Sequence, residues 1–182
     1  YAGYESASGQ LLSTFVIKGL RLEKSKGAHM TSALYGALGV GRWLAIPASI
    51  LLSPISMMCA SLVLTTIGFV FLSFLVHLQE AVAWMSIILI GLGMSASFAS
   101  AILWISRVIR VDGCASAVVM IGASTGGMTV ATVCGSLFET LGHMVMPYMC
   151  LTACLVGDVI FLCMYSFAKN AAKELKTDDA FS

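Results

Sequence analysis

Between Arg42 and Glu80 the chain reads WLAIPASILLSPISMMCASLVLTTIGFVFLSFLVHLQ (residues 43–79), without a single Lys, Arg, Asp or Glu. A bilayer core about 30 Å thick is crossed by ~20 apolar helical residues at 1.5 Å per residue, so this run has length for nearly two crossings. Ser53-Pro54 divides the run, because Ser is a favoured N-cap and Pro is tolerated in the first helical turn. The run therefore predicts two membrane helices joined by a tight turn.

Comparable charge-free runs lie on both sides of this one, at 27–41, 81–106 and 113–138. None of them alternates apolar and polar residues, as the strands of a membrane β-barrel would. The sequence predicts an all-α, polytopic membrane protein with a six-helix bundle over 1–168 and a solvated tail over 169–182, which the resemblance described below implies to be cytoplasmic. The six predicted spans are 2–19, 28–50, 54–76, 81–105, 114–138 and 144–168.

The composition excludes several classes of protein. Of 182 residues 59% are hydrophobic and only 10% are charged, and the mean hydropathy is +0.95. Soluble domains carry about a quarter charged residues, so a water-soluble globule is excluded. Ten Lys and Arg against nine Asp and Glu form no basic stripe, so no nucleic-acid partner is expected.

The six cysteines predict neither a metal site nor a cofactor. They lie at positions 59, 114, 134, 150, 154 and 163, and no two form a Cys-x-x-Cys pair. Zinc sites usually need such pairs or nearby histidines, so the cysteines are expected to be small buried hydrophobes. Glycine is dense, with 17 residues including Gly122 and Gly126 in a G-x-x-x-G pattern, and this predicts close helix packing.

An ordered series of motifs resembles a known family. Gly41-Arg42-Trp43-Leu44, followed by Ser53-Pro54, is similar to the eighth helix and the start of the ninth in major facilitator superfamily transporters. The most similar branch is that of the fucose–galactose–hexose permeases and the sodium-dependent glucose transporter-like proteins. Further segments resemble the seventh, tenth and eleventh helices: 1–5 with Gly9, 91–95 through Trp104, and 122–128 with 135–139.

The resemblance implies the C-terminal half of a twelve-helix fold, built from two inverted three-helix repeats. In such transporters the solute binds between the halves near the midplane. It further implies alternating access, a hexose-type sugar as solute, and coupling to Na⁺ or protons. The partners would be the bilayer and an N-terminal six-helix half, without which this chain is not expected to transport. Both ends would be cytoplasmic, with the plasma membrane favoured, whereas counting Lys and Arg leaves the orientation open.

Glu5 is the first candidate site residue, because an ionisable side chain inside a membrane span suggests function. Helical spacing places Tyr1, Glu5 and Ser8 on one face, which the resemblance places along a cavity. There the carboxylate would accept sugar hydroxyl groups and the Tyr1 ring would pack on the sugar. Glu5 could instead bind the coupling ion, or be solvated or structurally paired near the helix end.

Three other residues are candidate sugar contacts. Gln10 lies away from Glu5 and binds either sugar hydroxyl groups or a neighbouring helix. Tyr35 shares a helix face with Arg42. Trp104 ends the fourth span, where an aromatic residue is either an interfacial anchor or a stacking platform for a sugar.

Glu5 and Arg42 are predicted to form an ion pair or gate. Each lies 14 residues from its end of the 18–27 loop (Gly19 and Ala28), hence roughly 21 Å deep at 1.5 Å per residue. Pairing would remove much of the cost of two charges at that depth. The alternative is that each finds water or backbone partners.

Asp158 is the candidate coupling residue. It lies midway along the sixth span, with no basic residue within one helical turn. A structural hydrogen bond is the alternative interpretation.

Two other functional classes compete with a transporter. An intramembrane hydrolase would need a nucleophile motif, and Gly93-Met94-Ser95-Ala96-Ser97 lacks the final Gly of Gly-x-Ser-x-Gly. A non-transporting receptor or scaffold is the other alternative. The prediction is a transporter, not an enzyme.

Overall fold

The computed structural model describes residues 1–76, 79–108 and 113–181, and within them the chain is helical, without a strand. The helices are α1 Ala2–Lys18, α2 Lys24–Leu51, α3 Pro54–Val70, α4 Glu80–Val108, α5 Gly113–Leu141 and α6 Val145–Phe181. A π-helical turn, Phe71–Leu75, continues α3. The all-α prediction is confirmed for the described residues.

The predicted break inside the uncharged run is confirmed. Helix α2 ends at Leu51 and α3 begins at Pro54. The Ser53 hydroxyl accepts a hydrogen bond of 3.2 Å from the backbone N–H of Ser56, which satisfies one of the free donors at a helix start. The turn is therefore set by local chemistry at Ser53-Pro54.

Five of the described helices are long and apolar enough to cross a membrane: α2, α3 with its π-helical turn, α4, α5 and α6. Helix α1 has 17 residues and is not among them.

Helix α6 runs to Phe181 and not to residue 168, so the predicted tail 169–182 begins as a continuation of this helix. The boundary at 168 stays a prediction.

The helices pack around a core that contains Phe15, Met30, Phe69, Ile87 and Met146, all essentially buried. The most extensive packing joins α4 to both α3 and α2, and α1 to α5, while α6 contacts α1, α3 and α5. Helix α4 therefore lies between α2 and α3, and the residues on its two contact faces determine the distances between these helices.

Glycines on α4 set that spacing. A Cβ atom on Gly91 would lie 2.6 Å from the Leu34 carbonyl oxygen, and one on Gly93 would lie 2.6 Å from the Thr65 backbone nitrogen. Both distances are far below van der Waals contact, so only glycine permits these approaches. The predicted close packing through glycine is confirmed at these positions.

Two sequence expectations are wrong in detail. A Cβ on Gly122 or Gly126 would meet nothing within 4 Å, so no helix contact within the described chain requires glycine at these two positions. Of the cysteines expected to be buried, three are exposed: Cys59, Cys114 and Cys163. An apolar span in a bilayer has no need to bury every apolar side chain in protein, which explains the exposed thiols.

Candidate functional site

A groove of about 890 Å³ lies between α2 and α4, with Met57 of α3 at its back. We call it the α2–α4 groove, and its principal lining residues are Arg42, Ile46, Ser49, Ser95, Ala99 and Ser106. The α2 residues are spaced i, i+4 and i+7, so they lie on one helix face, and the α4 residues lie along the helix from Ser95 to Ser106. The groove is thus a product of the close packing of these two helices.

Arg42 and Glu5 meet at this groove. The Nη2 atom of Arg42 lies 3.8 Å from Oε1 of Glu5, and the two side chains are 60% and 27% exposed. At this length the contact is an ion pair without a good hydrogen bond. A guanidinium has five N–H donors, so Arg42 keeps donors free for a further acceptor in the groove.

Serines supply the other polar groups of the groove. The hydroxyl groups of Ser49, Ser95 and Ser106 donate to the carbonyl oxygens of Ile46, Leu92 and Leu103 at 2.7, 2.6 and 2.9 Å. Each hydroxyl oxygen can still accept a hydrogen bond. The groove therefore offers donors from Arg42 and acceptors from serines within a largely apolar wall.

These serines were not predicted as site residues. Their signal was present, because Ser95 and Ser106 share a face of one apolar run and Ser49 shares a face with Arg42. Which of several serine-bearing faces forms a cavity depends on the α2–α4 contact, and that contact is not visible in either helix alone.

Tyr1 anchors the start of α1. Its hydroxyl donates to the backbone carbonyl of Met94 on α4. Its ring packs edge-on against Tyr4 with 5.4 Å between centroids, and Tyr4 packs in the same way on Phe69. Tyr1 thus lies beside Glu5 but its hydroxyl is already engaged.

The prediction that Ser8 lines a cavity with Tyr1 and Glu5 is wrong. Ser8 is 3% exposed. Its hydroxyl donates to the Tyr4 carbonyl at 2.6 Å and lies 3.8 Å from the Cys150 sulfur of α6. Ser8 lies on the same helix face as Tyr1 and Glu5, but α6 packs over α1 at this position and buries the side chain.

Tyr35 and Gln10 lie on the exposed surfaces of α2 and α1. The Tyr35 hydroxyl lies directly over Gly9, where any Cβ atom would overlap with it. The Tyr35 side chain therefore reaches from α2 to α1, where it contacts Gly9, the residue before Gln10.

Trp104 is not among the residues that line the α2–α4 groove. It is 8% exposed and packs edge-on against Phe161 of α6, with 6.0 Å between centroids. Trp104 ends the candidate membrane span Glu80–Trp104, and its two predicted roles, the interfacial anchor and the stacking platform, stay predictions. Helix α4 continues past Trp104 to Val108, which leaves this ring inside the bundle.

Asp158 accepts a hydrogen bond of 2.8 Å from the Thr66 hydroxyl of α3 through Oδ2. The predicted structural hydrogen bond is thus present. Its Oδ1 atom is buried and has no hydrogen-bond partner in the described part of the chain. Asp158 lies at the contact of α3 with α6, away from the residues that line the α2–α4 groove.

Single-cysteine labelling tests this placement. We expect Glu5→Cys to react with a water-soluble thiol reagent, because the carboxylate position is partly exposed beside the groove. We expect Ser8→Cys, one helical turn further along α1, to stay protected because it is buried. Mass spectrometry of the labelled peptides in membranes measures both. Equal labelling at the two positions would contradict the placement.

The chain is similar to curated transporters. It is 30% identical to sodium-dependent glucose transporter 1 of Danio rerio, over 92% of this chain and 28% of the relative. It is 31% identical to sodium-dependent glucose transporter 1A of Mus musculus, over 98% of this chain and 41% of the relative. Identity to major facilitator superfamily domain-containing protein 4A of Xenopus tropicalis is 29%, over 74% of this chain and 27% of the relative.

The predicted resemblance to major facilitator proteins of sugar-transporter type is confirmed by these relatives. The chain spans between 27% and 41% of the length of these three. No family model matches the sequence, and no solved structure matches it. Transporter relatives and five long apolar helices together support an integral multi-pass membrane protein.

Proposed function

We propose that this chain is the C-terminal six-helix half of a secondary transporter that moves a sugar-type solute by alternating access. The observation that carries the proposal is the similarity to proteins named sodium-dependent glucose transporter over 92–98% of the chain. The missing partner is then an N-terminal half of the same protein. Both ends of the six-helix unit would be cytoplasmic, in the plasma membrane.

Helix α1 is proposed as the sixth span. Its 17 residues reach about 25 Å at 1.5 Å per residue, and spans as short as ~17 residues occur. The packing of α1 and α2 against the other helices supports a six-helix half built from two repeats. If α1–α3 and α4–α6 are inverted repeats, α1 corresponds to α4 and α2 to α5, so the α2–α4 contact corresponds to α5–α1. Both pairs are extensively packed.

The α2–α4 groove is the proposed solute site on this half. A sugar presents hydroxyl groups that both donate and accept, and the groove supplies Arg42 as donor with Ser95 and Ser106 as acceptors. Glu5 would accept sugar hydroxyl groups when its contact with Arg42 opens, so the pair would act as a gate. Tyr1, Gln10 and Tyr35 would complete the contacts along α1 and α2.

Asp158 is proposed as the coupling residue, for Na⁺ or a proton. Support comes from its Oδ1 atom, which has no hydrogen-bond partner among the described residues, and from its place near the middle of α6. The hydrolase alternative finds no support in the groove, because the Ser95 hydroxyl donates to the Leu92 carbonyl and no histidine is among the described residues that line the groove.

Uptake of labelled hexoses tests the proposed function. The protein that contains this chain would be reconstituted in vesicles with an inward Na⁺ gradient, a proton gradient or neither. We expect hexose accumulation above protein-free vesicles, with one gradient raising it. No uptake of any hexose under all three conditions would contradict the proposal.

A further inference from the structure

A second cavity lies where the loop between α1 and α2 meets the start of α4. Its volume is about 320 Å³, within the ~300–1,000 Å³ range of small-molecule pockets. We call it the loop cavity. Its described side chains are half polar and half apolar: Arg21, Gln79 and Glu80 on one hand, and Leu20, Leu22 and Val76 on the other.

The loop is held over the end of α1 in a strained conformation. The backbone N–H groups of Leu20 and Leu22 donate to the carbonyl oxygens of Phe15 and Val16, both at 3.2 Å. Between them, Arg21 has a φ of +54°, in the left-handed region that residues other than glycine rarely adopt. Such strain persists only where the surrounding structure fixes it, and it is common at ligand sites. The fold thus keeps Arg21 in the cavity wall despite the strain.

Charged groups of both signs border the loop cavity. Arg21 forms no ion pair with the described residues, so its guanidinium donors are available to a ligand. Glu80 lies 2.7 Å from the Lys26 ammonium group and 3.5 Å from the Trp84 indole nitrogen, and a carboxylate has lone pairs for further donors. The Gln79 amide both donates and accepts. The cavity therefore offers donors to an anionic group close to an acceptor for a cationic one.

The loop cavity lies at the edge of the membrane-spanning part of the bundle. Helix α1 ends at Lys18, and the apolar span Glu80–Trp104 begins at the cavity. This is the depth of lipid headgroups, because charged side chains gather where the hydrocarbon core ends. Phospholipid headgroups place a phosphate, and in some classes an ammonium group, at this depth. The apolar half of the cavity wall would face the start of the acyl chains.

We propose that the loop cavity binds the headgroup of a phospholipid that carries a primary ammonium group, as phosphatidylethanolamine does. Its phosphate would accept from Arg21 and Gln79, since a guanidinium donates two parallel hydrogen bonds to phosphate. Its ammonium group would donate to Glu80. An anionic headgroup without an ammonium group leaves Glu80 facing a like charge, and the quaternary nitrogen of phosphatidylcholine has no N–H to donate.

This lipid site is separate from the proposed solute site. None of the described residues that line the loop cavity also lines the α2–α4 groove. Lipid binding therefore goes beyond the proposed transport, and it can be measured whether or not the chain takes part in sugar uptake.

Trp84 supplies a spectroscopic reporter for the loop cavity. Its indole nitrogen lies 3.5 Å from Oε1 of Glu80, the carboxylate that would receive the ammonium group. The chain has three tryptophans, so a Trp43→Phe/Trp104→Phe variant leaves Trp84 alone. A headgroup that binds to Glu80 should change the emission of Trp84.

The test places this single-tryptophan chain in phosphatidylcholine nanodiscs with rising fractions of either phosphatidylethanolamine or phosphatidylglycerol. We expect a saturable emission change with phosphatidylethanolamine, with a half-saturating fraction at least about tenfold below that of phosphatidylglycerol. Arg21→Gln should raise the half-saturating fraction at least about fivefold. Lys24→Gln is the matched control, because Lys24 is an exposed cation that does not line the cavity, and it should change the fraction by less than about twofold.

The comparison of the two lipids needs no variant of the cavity, so it decides even if Arg21→Gln does not fold. The proposal is overturned if phosphatidylglycerol is as effective as phosphatidylethanolamine, or if Arg21→Gln and Lys24→Gln respond alike. Glycerophosphoethanolamine has the same headgroup without acyl chains, and in solution it should leave the emission unchanged. An equal, saturable change with this soluble compound would assign the site to a free zwitterion and overturn the lipid as its ligand.

Discussion

Gly93→Ala is expected to destabilise the chain by about 2 kcal/mol relative to Gly157→Ala, because an added Cβ overpacks the contact of α4 with α3. At Gly93 that atom would overlap with the Thr65 side chain and lie 2.6 Å from the Thr65 nitrogen and 3.0 Å from its Cα. Backbone atoms cannot move aside as a flexible side chain can, so the two helices must separate. The lost packing is not offset by hydrophobic burial, since lipid is as apolar as the protein interior.

The control isolates the clash from the change in helix propensity. Both glycines lie inside long helices, and a Cβ on Gly157 would meet nothing within 4 Å. Both variants therefore gain the same propensity from alanine, which exceeds glycine by about 1 kcal/mol in water. Thermal unfolding in detergent, followed by circular dichroism, would measure the difference. Equal stability of the two variants would show that α3 and α4 are not this closely packed.

Local signals were sufficient for some of the fold. The break at Ser53-Pro54 was predictable because an N-cap hydroxyl and a first-turn proline act within one turn. The continuation of α6 beyond the predicted span 144–168 was not predicted, because the charged residues that follow the span were interpreted only as a solvated tail. The 14 residues after residue 168 include three Ala and three Lys, which are strong helix formers, and the helix continues to Phe181.

The site was less predictable because it depends on which faces meet. The sequence places Glu5 and Arg42 at equal depth, and the structure brings them to 3.8 Å. Equal depth could not show that Trp104 would be covered by Phe161, nor that Ser8 would be covered by α6. Glycine density predicted close packing, but only the neighbour across the contact distinguishes Gly93 from Gly122. These are contacts between helices far apart in sequence.

Reversing the charge of one partner of the Glu5–Arg42 pair is expected to reduce hexose uptake by at least about tenfold, and exchanging the two charges should recover part of it. Arg42→Glu leaves two carboxylates beside the groove, and Glu5→Arg leaves two guanidinium groups, so each single change replaces attraction by repulsion. The double change Glu5→Arg/Arg42→Glu restores opposite charges. Because the Arg42 side chain is 60% exposed, the coupling in stability should be only about 0.5–1 kcal/mol.

The Lys26–Glu80 pair provides the matched control. It joins α2 to α4, whereas Glu5–Arg42 joins α1 to α2. Its Nζ and Oε2 atoms are 2.7 Å apart, its side chains are 40% and 38% exposed, and it lies at the helix starts and outside the groove. Exchanging its charges should leave uptake unchanged, although its effect on stability should be comparable. Uptake by all four proteins of each mutant cycle would be measured in vesicles and normalised to folded protein. If exchanging Glu5 and Arg42 recovers no more uptake than either single change, the pair has no role in transport as a pair.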